Sequence, residues 1–361
     1  MKKFGFGCMR LPMIESEVDY EQFKNMIDEY LKEGFTYFDT ARVYIKGKSE
    51  IALRECLVKR YPRDSFILAD KLSSFCFEKK EELSGFFTSQ LEALGTDYID
   101  YYLIHAVSRN NYQKYLDVDG FNFCKKLKEE GKIKHLGLSF HDSAKMLDDI
   151  LNAHPEIEFV QLQFNYLDYD SVNVESKKCY DVARKHNKDI MIMEPVKGGE
   201  LVNLPKEAEE ILTKFNNGSN ASYAIRFAAS YEGVVMVLSG MSTLEQMRDN
   251  LSYMKDFKPF TKEEYDAVFE IASLIKQKKL IPCTGCRYCV EGCVKKIDIP
   301  AMFANLNKKI LNSDFDETLY SQIILNKGRA SDCVKCGKCE NECPQHLPIR
   351  ELLVKVTKEF E

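Results

Sequence analysis

The run Val234-Val235-Met236-Val237-Leu238-Ser239-Gly240 is apolar for five residues and then turns polar, and Ile190-Met191-Ile192-Met193-Glu194 has the same form. A strand with one face in water alternates, whereas a strand buried on both faces is apolar throughout, as in a parallel sheet covered by helices. Working outward, six more short runs share β-branched and aromatic character: Phe4–Phe6, Thr36–Asp39, Phe66–Lys71, Tyr98–His105, Ile133–Ser139 and Phe159–Asn165. Most of the eight lie about 30 residues apart, room for the crossover that parallel strands require and more than a hairpin needs.

Helical periodicity fills the gaps. Phe23, Met26, Ile27, Tyr30 and Leu31 form one apolar stripe that Gly34 ends, and Leu83, Phe86, Phe87, Gln90, Leu91 and Leu94 form another that Gly95 ends. Eight strand–helix units in about 260 residues predict an α/β protein, a (β/α)8 TIM barrel. A doubly wound open sheet is the alternative, and it lacks the Gly-x-Gly-x-x-Gly turn expected after an early strand.

The 361 residues carry a net charge of −5, with 13 cysteines and no tryptophan. Scattered lysines on an acidic chain give no nucleic-acid footprint. No apolar run reaches the roughly 20 residues of a membrane helix, and the first residues lack a signal-peptide core, so a cytoplasmic location with reduced or metal-bound thiols is expected.

Cys8, Cys56, Cys76, Cys124 and Cys179 stand alone, and isolated cysteines behave as small apolar side chains. The other eight form two runs of the pattern C-x2-C-x2-C-x3-C: Cys283, Cys286, Cys289, Cys293 and then Cys333, Cys336, Cys339, Cys343, followed by Pro344. The sequence therefore divides into a barrel over 1–258 and a metal-binding module over 259–361. Zinc also takes four thiolates, but usually from paired C-x2-C knuckles.

In such a barrel the chemistry sits where the strands end. Those ends carry Asp39, Lys71, His105, Ser139, Asn165 and Glu194, with Tyr44 five residues after Asp39. Together these types suit proton transfer to a carbonyl oxygen. Tyrosine, with an ordinary pKa near 10, is a poor donor at neutral pH, and a nearby ammonium is expected to lower that value. A carboxylate would hold the lysine, and a histidine would orient the carbonyl.

Tyr37-Phe38-Asp39-Thr40-Ala41-Arg42-Val43-Tyr44 with Gly47-Lys48-Ser49-Glu50, Ala69-Asp70-Lys71-Leu72, the segment Leu94 to His105, and Gly131 to Ser139 resemble, in order, the motifs of the aldo-keto reductase family. The resemblance spans roughly residues 4–255. It implies a catalytic tetrad of Asp39, Tyr44, Lys71 and His105, Tyr44 as general acid, hydride from NADPH or NADH, and a small carbonyl or alcohol substrate. It further implies that Ser139 and Gln161 hold the carboxamide, and that Gly240, Gln246 and Asn250 belong to the adenosine-phosphate site. Members that prefer NADPH often carry Lys or Arg where Gly240 and Gln246 stand, so the cofactor choice stays open, with Arg248 as a substitute cation. The usual stacking tyrosine is replaced within Met193-Glu194-Pro195.

The tail resembles a bacterial two-cluster ferredoxin, in which the fourth cysteine of each run ligates the other cluster. That implies a small α+β iron–sulfur domain with a helical insert near Ala301–Leu311. One [4Fe–4S] cluster would then lie on Cys283, Cys286, Cys289 and Cys343, and a second on Cys333, Cys336, Cys339 and Cys293. Val294 departs from the proline that usually follows the first run. His346 is expected at the surface. Hydride transfer moves two electrons and a cluster passes one, which leaves three readings. The chain is a carbonyl reductase, an electron-transfer protein relaying between a nicotinamide or flavin and a partner protein, or a redox-sensing platform.

Overall fold

The computed structural model describes residues 2–215, 218–311, 316 and 318–361. Eight strands close a parallel barrel in sequence order: β1 (Phe4–Gly7), β2 (Tyr37–Asp39), β3 (Ile67–Leu72), β4 (Ile99–Val107), β5 (Ile133–Phe140), β6 (Phe159–Gln163), β7 (Asp189–Met193) and β8 (Val234–Gly240). Gly7 pairs with both Asp39 and Gly240, which closes the ring at the strand ends. A short hairpin of Met13–Ile14 and Glu17–Val18 follows β1.

Burial on both strand faces explains the apolar runs. One face lines the barrel interior, where Tyr37, Ala69, Leu103, Phe159, Met191, Met236 and Leu238 pack together. The other meets the helices, as Phe4, Phe6, Phe38 and Leu68 do beside Phe23, Met26, Ile27 and Tyr30 of helix Tyr20–Lys32. Gly95 ends helix Glu82–Leu94 in the left-handed conformation at φ 70°, which glycine adopts without strain.

Space inside the barrel is tight. A Cβ at Gly137 of β5 would lie 2.2 Å from the Phe159 ring of β6. Gly137→Ala is therefore expected to cost about 1–3 kcal/mol through overpacking, read from the denaturant midpoint. An unchanged midpoint would show that the ring moves freely.

The barrel core reaches further than the sequence division. Helix Lys262–Gln277, assigned to the tail by sequence, buries Val268, Ile271, Ala272 and Ile275 in the barrel's own core. A separate core begins at Ile281 and includes Ile297, Met302, Phe303, Ile349 and Leu353. We accordingly propose the boundary between Gln277 and Ile281.

The tail is built twice from one plan. Each cysteine run holds a one-turn helix, Tyr288–Glu291 or Lys338–Asn341, entered through a left-handed residue, Arg287 at φ 69° or Gly337 at φ 79°. Each run then leads into a longer helix, Ile299–Leu311 or Ile349–Phe360. Among the described residues the tail's β structure is one parallel bridge, Ile297 to Gly328, so it is far more helical than the α+β expectation. No helix among the described residues is long and apolar enough to cross a membrane.

Candidate active site and cysteine centres

Asp39 ends β2, Lys71 lies near the end of β3 and His105 lies in β4, so strand register alone brings three of the four tetrad residues to one rim. Tyr44 enters from a 3-10 turn, Tyr44–Gly47. Lys71 Nζ donates to Asp39 Oδ1 at 2.6 Å and to the Thr40 carbonyl at 2.7 Å, and it lies 4.9 Å from the centre of the Tyr44 ring. The Tyr44 and His105 rings meet edge-on at 6.0 Å. His105 Nδ1 is 2.5 Å from Ser73 Oγ, which leaves Nε2 without a protein partner among the described residues.

Burial governs the charges here. It pushes the Tyr44 phenol well above its ordinary range, and Asp39, Asp70 and Glu194 add to the effect. The expected net lowering by Lys71 is therefore outweighed, and Tyr44 keeps its proton until it is used. Burial, then Lys71 and His141, drives His105 well below the usual histidine range, so its ring is neutral. Burial also raises Asp39, against the pull of Lys71. Behind Lys71, burial and the neighbouring Glu50 hold the Asp70 carboxyl well above the carboxylate range. Glu50 in turn pairs with Arg42 at 2.5 Å.

A cleft of about 580 Å³ opens over this rim. Its walls include Asp39, Tyr44 and His105 together with Ser139, Gln161, Gly240, Gln246 and Asn250, all five sequence-assigned cofactor residues. Ser139 and Gln161 face each other across the β5–β6 register, and the buried Gln161 Oε1 has no hydrogen-bond partner. An amide N–H would satisfy it, so the pair fits a carboxamide. Asn250 donates to Ser239 Oγ at 3.0 Å, and Gln246 Oε1 accepts from the Ser242 amide at 2.8 Å, so both side chains also brace their own helix start.

Arg248 does not serve the cleft. It turns outward to Glu29 at 2.5 Å. The cation that the sequence reading missed is Arg10, the only Lys or Arg among the described lining residues. Its side chain lies against Gly240, where a Cβ would come 3.3 Å from Arg10 Cβ. Its guanidinium donates to Thr284 O at 2.6 Å and Gly198 O at 3.3 Å. A glycine where a cation was sought, beside an arginine just after β1, was the available signal.

The tail forms part of the cleft. Cys286, Tyr288, Pro344 and Gln345 line it alongside Tyr44 and His105. Gln345 and Gln163 exchange hydrogen bonds of 2.6 and 3.0 Å, and Lys197, paired with Asp168 at 2.6 Å, also reaches Gln345. His346 is half-buried against the barrel, 3.1 Å from the His141 carbonyl, rather than free at the surface.

Four of the eight run cysteines share one cavity. This small cavity is lined by Cys293, Cys333, Cys336 and Cys339, drawn from both runs. Of the other four, burial raises the Cys283, Cys286 and Cys343 thiols, and Cys343 adds to the rise at Cys283 and Cys286. The His346 amide donates to the Cys343 carbonyl at 3.0 Å. Among the described residues no group of three or more Cys, His, Asp or Glu side chains is placed as a single metal ion would require. Of the isolated cysteines, Cys8, Cys56, Cys124 and Cys179 are buried, and burial pushes Cys56 and the half-buried Cys76 up to about 11.

An eight-stranded barrel with an ionisable rim and a cysteine-rich cover defines the class, and comparison with known proteins supplies the family. The model of the aldo/keto reductase family matches residues 3–273, and that of a 4Fe-4S dicluster domain matches residues 282–347. The chain belongs to the aldo/keto reductase family and is an oxidoreductase. An uncharacterized oxidoreductase of Bacillus subtilis, YqkF, is 22% identical over 303 residues, 74% of this chain and 92% of the relative. An aldo-keto reductase from Bacillus halodurans in its holo form shares the fold with a TM-score of 0.61 at 23% identity, over 74% of this chain and 91% of that one. Another, from Klebsiella pneumoniae in complex with NADPH, has a TM-score of 0.61 at 18% identity, over 75% and 90% of the two chains.

Proposed function

We propose that the barrel reduces an aldehyde or ketone, or oxidises the corresponding alcohol, with NADPH or NADH. Tyr44 is the general acid, and the tail carries two [4Fe–4S] clusters in the cross-ligated sets above. The observation that carries this reading is the convergence of Asp39, Lys71, Tyr44 and His105 on one buried rim at the mouth of the cleft. When bound, the nicotinamide supplies hydride and each cluster passes single electrons. The chain's own residues do the rest. Tyr44 holds a proton at its phenol oxygen, and Lys71, fixed by Asp39 and Thr40, places positive charge where phenolate develops. His105 Nε2 is left to orient a carbonyl oxygen, and Ser139 with Gln161 fits the carboxamide.

Cys286 in the cleft wall favours a second reading, in which the cluster on Cys283, Cys286, Cys289 and Cys343 exchanges electrons with whatever occupies the cleft. An anaerobic titration with NADPH and with NADH, following nicotinamide and iron–sulfur absorbance together, separates the two. Aldehyde or ketone reduction with the clusters left oxidised supports the first, and cluster bleaching without added carbonyl supports the second.

Arg10 takes the cofactor-phosphate role in this reading. Arg10→Gln is expected to raise the KM for the nicotinamide about 10- to 150-fold, the size of a charge-assisted hydrogen bond, with kcat nearly kept. An unchanged KM would remove Arg10 from the phosphate site.

A further inference from the structure

We infer that the face over Cys293, Cys333, Cys336 and Cys339 is a docking surface for an acidic one-electron carrier protein. The inference rests on the cluster assignment just proposed and adds the place and chemistry of the partner. Among the eight run cysteines, Cys286 lines the catalytic cleft, whereas Cys336 is the one exposed to solvent. The two runs touch, since the one-turn helix Tyr288–Glu291 packs against Lys338–Asn341. One set thus borders the cleft and the other borders the outside, as an entry path for electrons requires.

The outer face combines exposed apolar side chains with lysines. Val294 and Val334, each next to a cysteine of this set, are 71% and 55% exposed although both are apolar. Charged residues lining the cavity are Lys295, Lys338 and Arg350, and no carboxylate is among them. Lys296 and Lys335 extend the patch and are exposed, and none of the four lysines has an ion pair among the described residues. Arg350 alone is paired, to Glu340 at 2.7 Å. Four unpaired lysines around two exposed valines, on a chain of net charge −5, present a positive apolar-centred patch that steers an acidic partner and repels a basic one. The step is a one-electron exchange: the carrier is oxidised by one electron and the cluster of this set is reduced by one, with no bond made or broken.

The test uses the full chain with its clusters, the variants Lys296→Glu and Lys335→Glu combined, and two probes. One probe is an acidic plant-type [2Fe–2S] ferredoxin and the other is basic cytochrome c. These two lysines do not line the cysteine cavity, so iron content and cluster paramagnetic resonance should match those of the parent chain. The rate of cluster reduction by reduced ferredoxin should fall at least tenfold in the double variant. It should also fall at least tenfold between about 0.05 and 0.5 M salt, as the screening length shrinks. Electron transfer from the reduced chain to cytochrome c should quicken in the double variant. Ferredoxin rates indifferent to both the substitutions and salt would overturn the docking surface, as would retention of the parent but not of the variant on anionic vesicles. Absence of iron from the parent chain would instead overturn the cluster assignment beneath it.

Discussion

Tyr44→Phe is expected to lower carbonyl reduction by about 10²- to 10⁴-fold, the range for a positioned general acid, while iron content stays that of the parent. The substitution deletes only the phenolic oxygen. Lys71 remains fixed by Asp39 and Thr40, and the ring remains beside His105, so cofactor binding should be nearly kept. Reduction requires Tyr44 protonated. Because burial raises its folded pKa well above 10, the donor stays loaded through neutral and mildly alkaline pH. His105 is neutral in the same window, since its pKa is driven below the ordinary 6.5 by burial and then by Lys71. The rate of reduction should thus be flat from about pH 7 to 9. A fall through that window would show that Lys71 outweighs burial once substrate is bound, and near-parent turnover by Tyr44→Phe would remove the proton-transfer role.

Most of the barrel was legible because double-sided burial writes itself locally. β7 and β8 are apolar runs since one face packs inside with Met191 and Met236 and the other meets the helices. The Met13–Val18 hairpin left no such mark, being mostly exposed and two residues per strand. Strand-end residues were legible for the same reason as the strands: polarity returns where the sheet stops. Contacts between the halves were not. Arg10 and Thr284 are 274 residues apart, and Gln163 and Gln345 are 182 apart, and no periodicity encodes such pairings. His346 was misplaced for that reason, since its ring meets the His141 carbonyl of the barrel. Helix Lys262–Gln277 was counted with the tail because its amphipathic stripe says that it packs, not upon what.

Cys293→Ala is expected to remove the cluster of Cys333, Cys336 and Cys339 while sparing the one beside its own sequence neighbours, and Cys343→Ala should do the reverse. Iron should fall to about half in each variant, and a different reduced-cluster resonance should vanish in each. The reason is steric. A C-x2-C-x2-C turn wraps three corners of a cube, and the fourth corner points away from the turn toward the other run. Cys293 lines one cavity with Cys333, Cys336 and Cys339. Cys343 instead acts electrostatically on Cys283, Cys286 and Cys289. The two variants should also differ at the cleft. Cys343 is followed by Pro344 and Gln345, which line the cleft with Cys286, so losing its cluster should raise the KM for the carbonyl substrate. Cys293 lies on the outer side, and its loss should leave that KM unchanged. If Cys293→Ala instead erases the cluster of Cys283, Cys286 and Cys289, each run closes on itself and the crossed pairing is wrong.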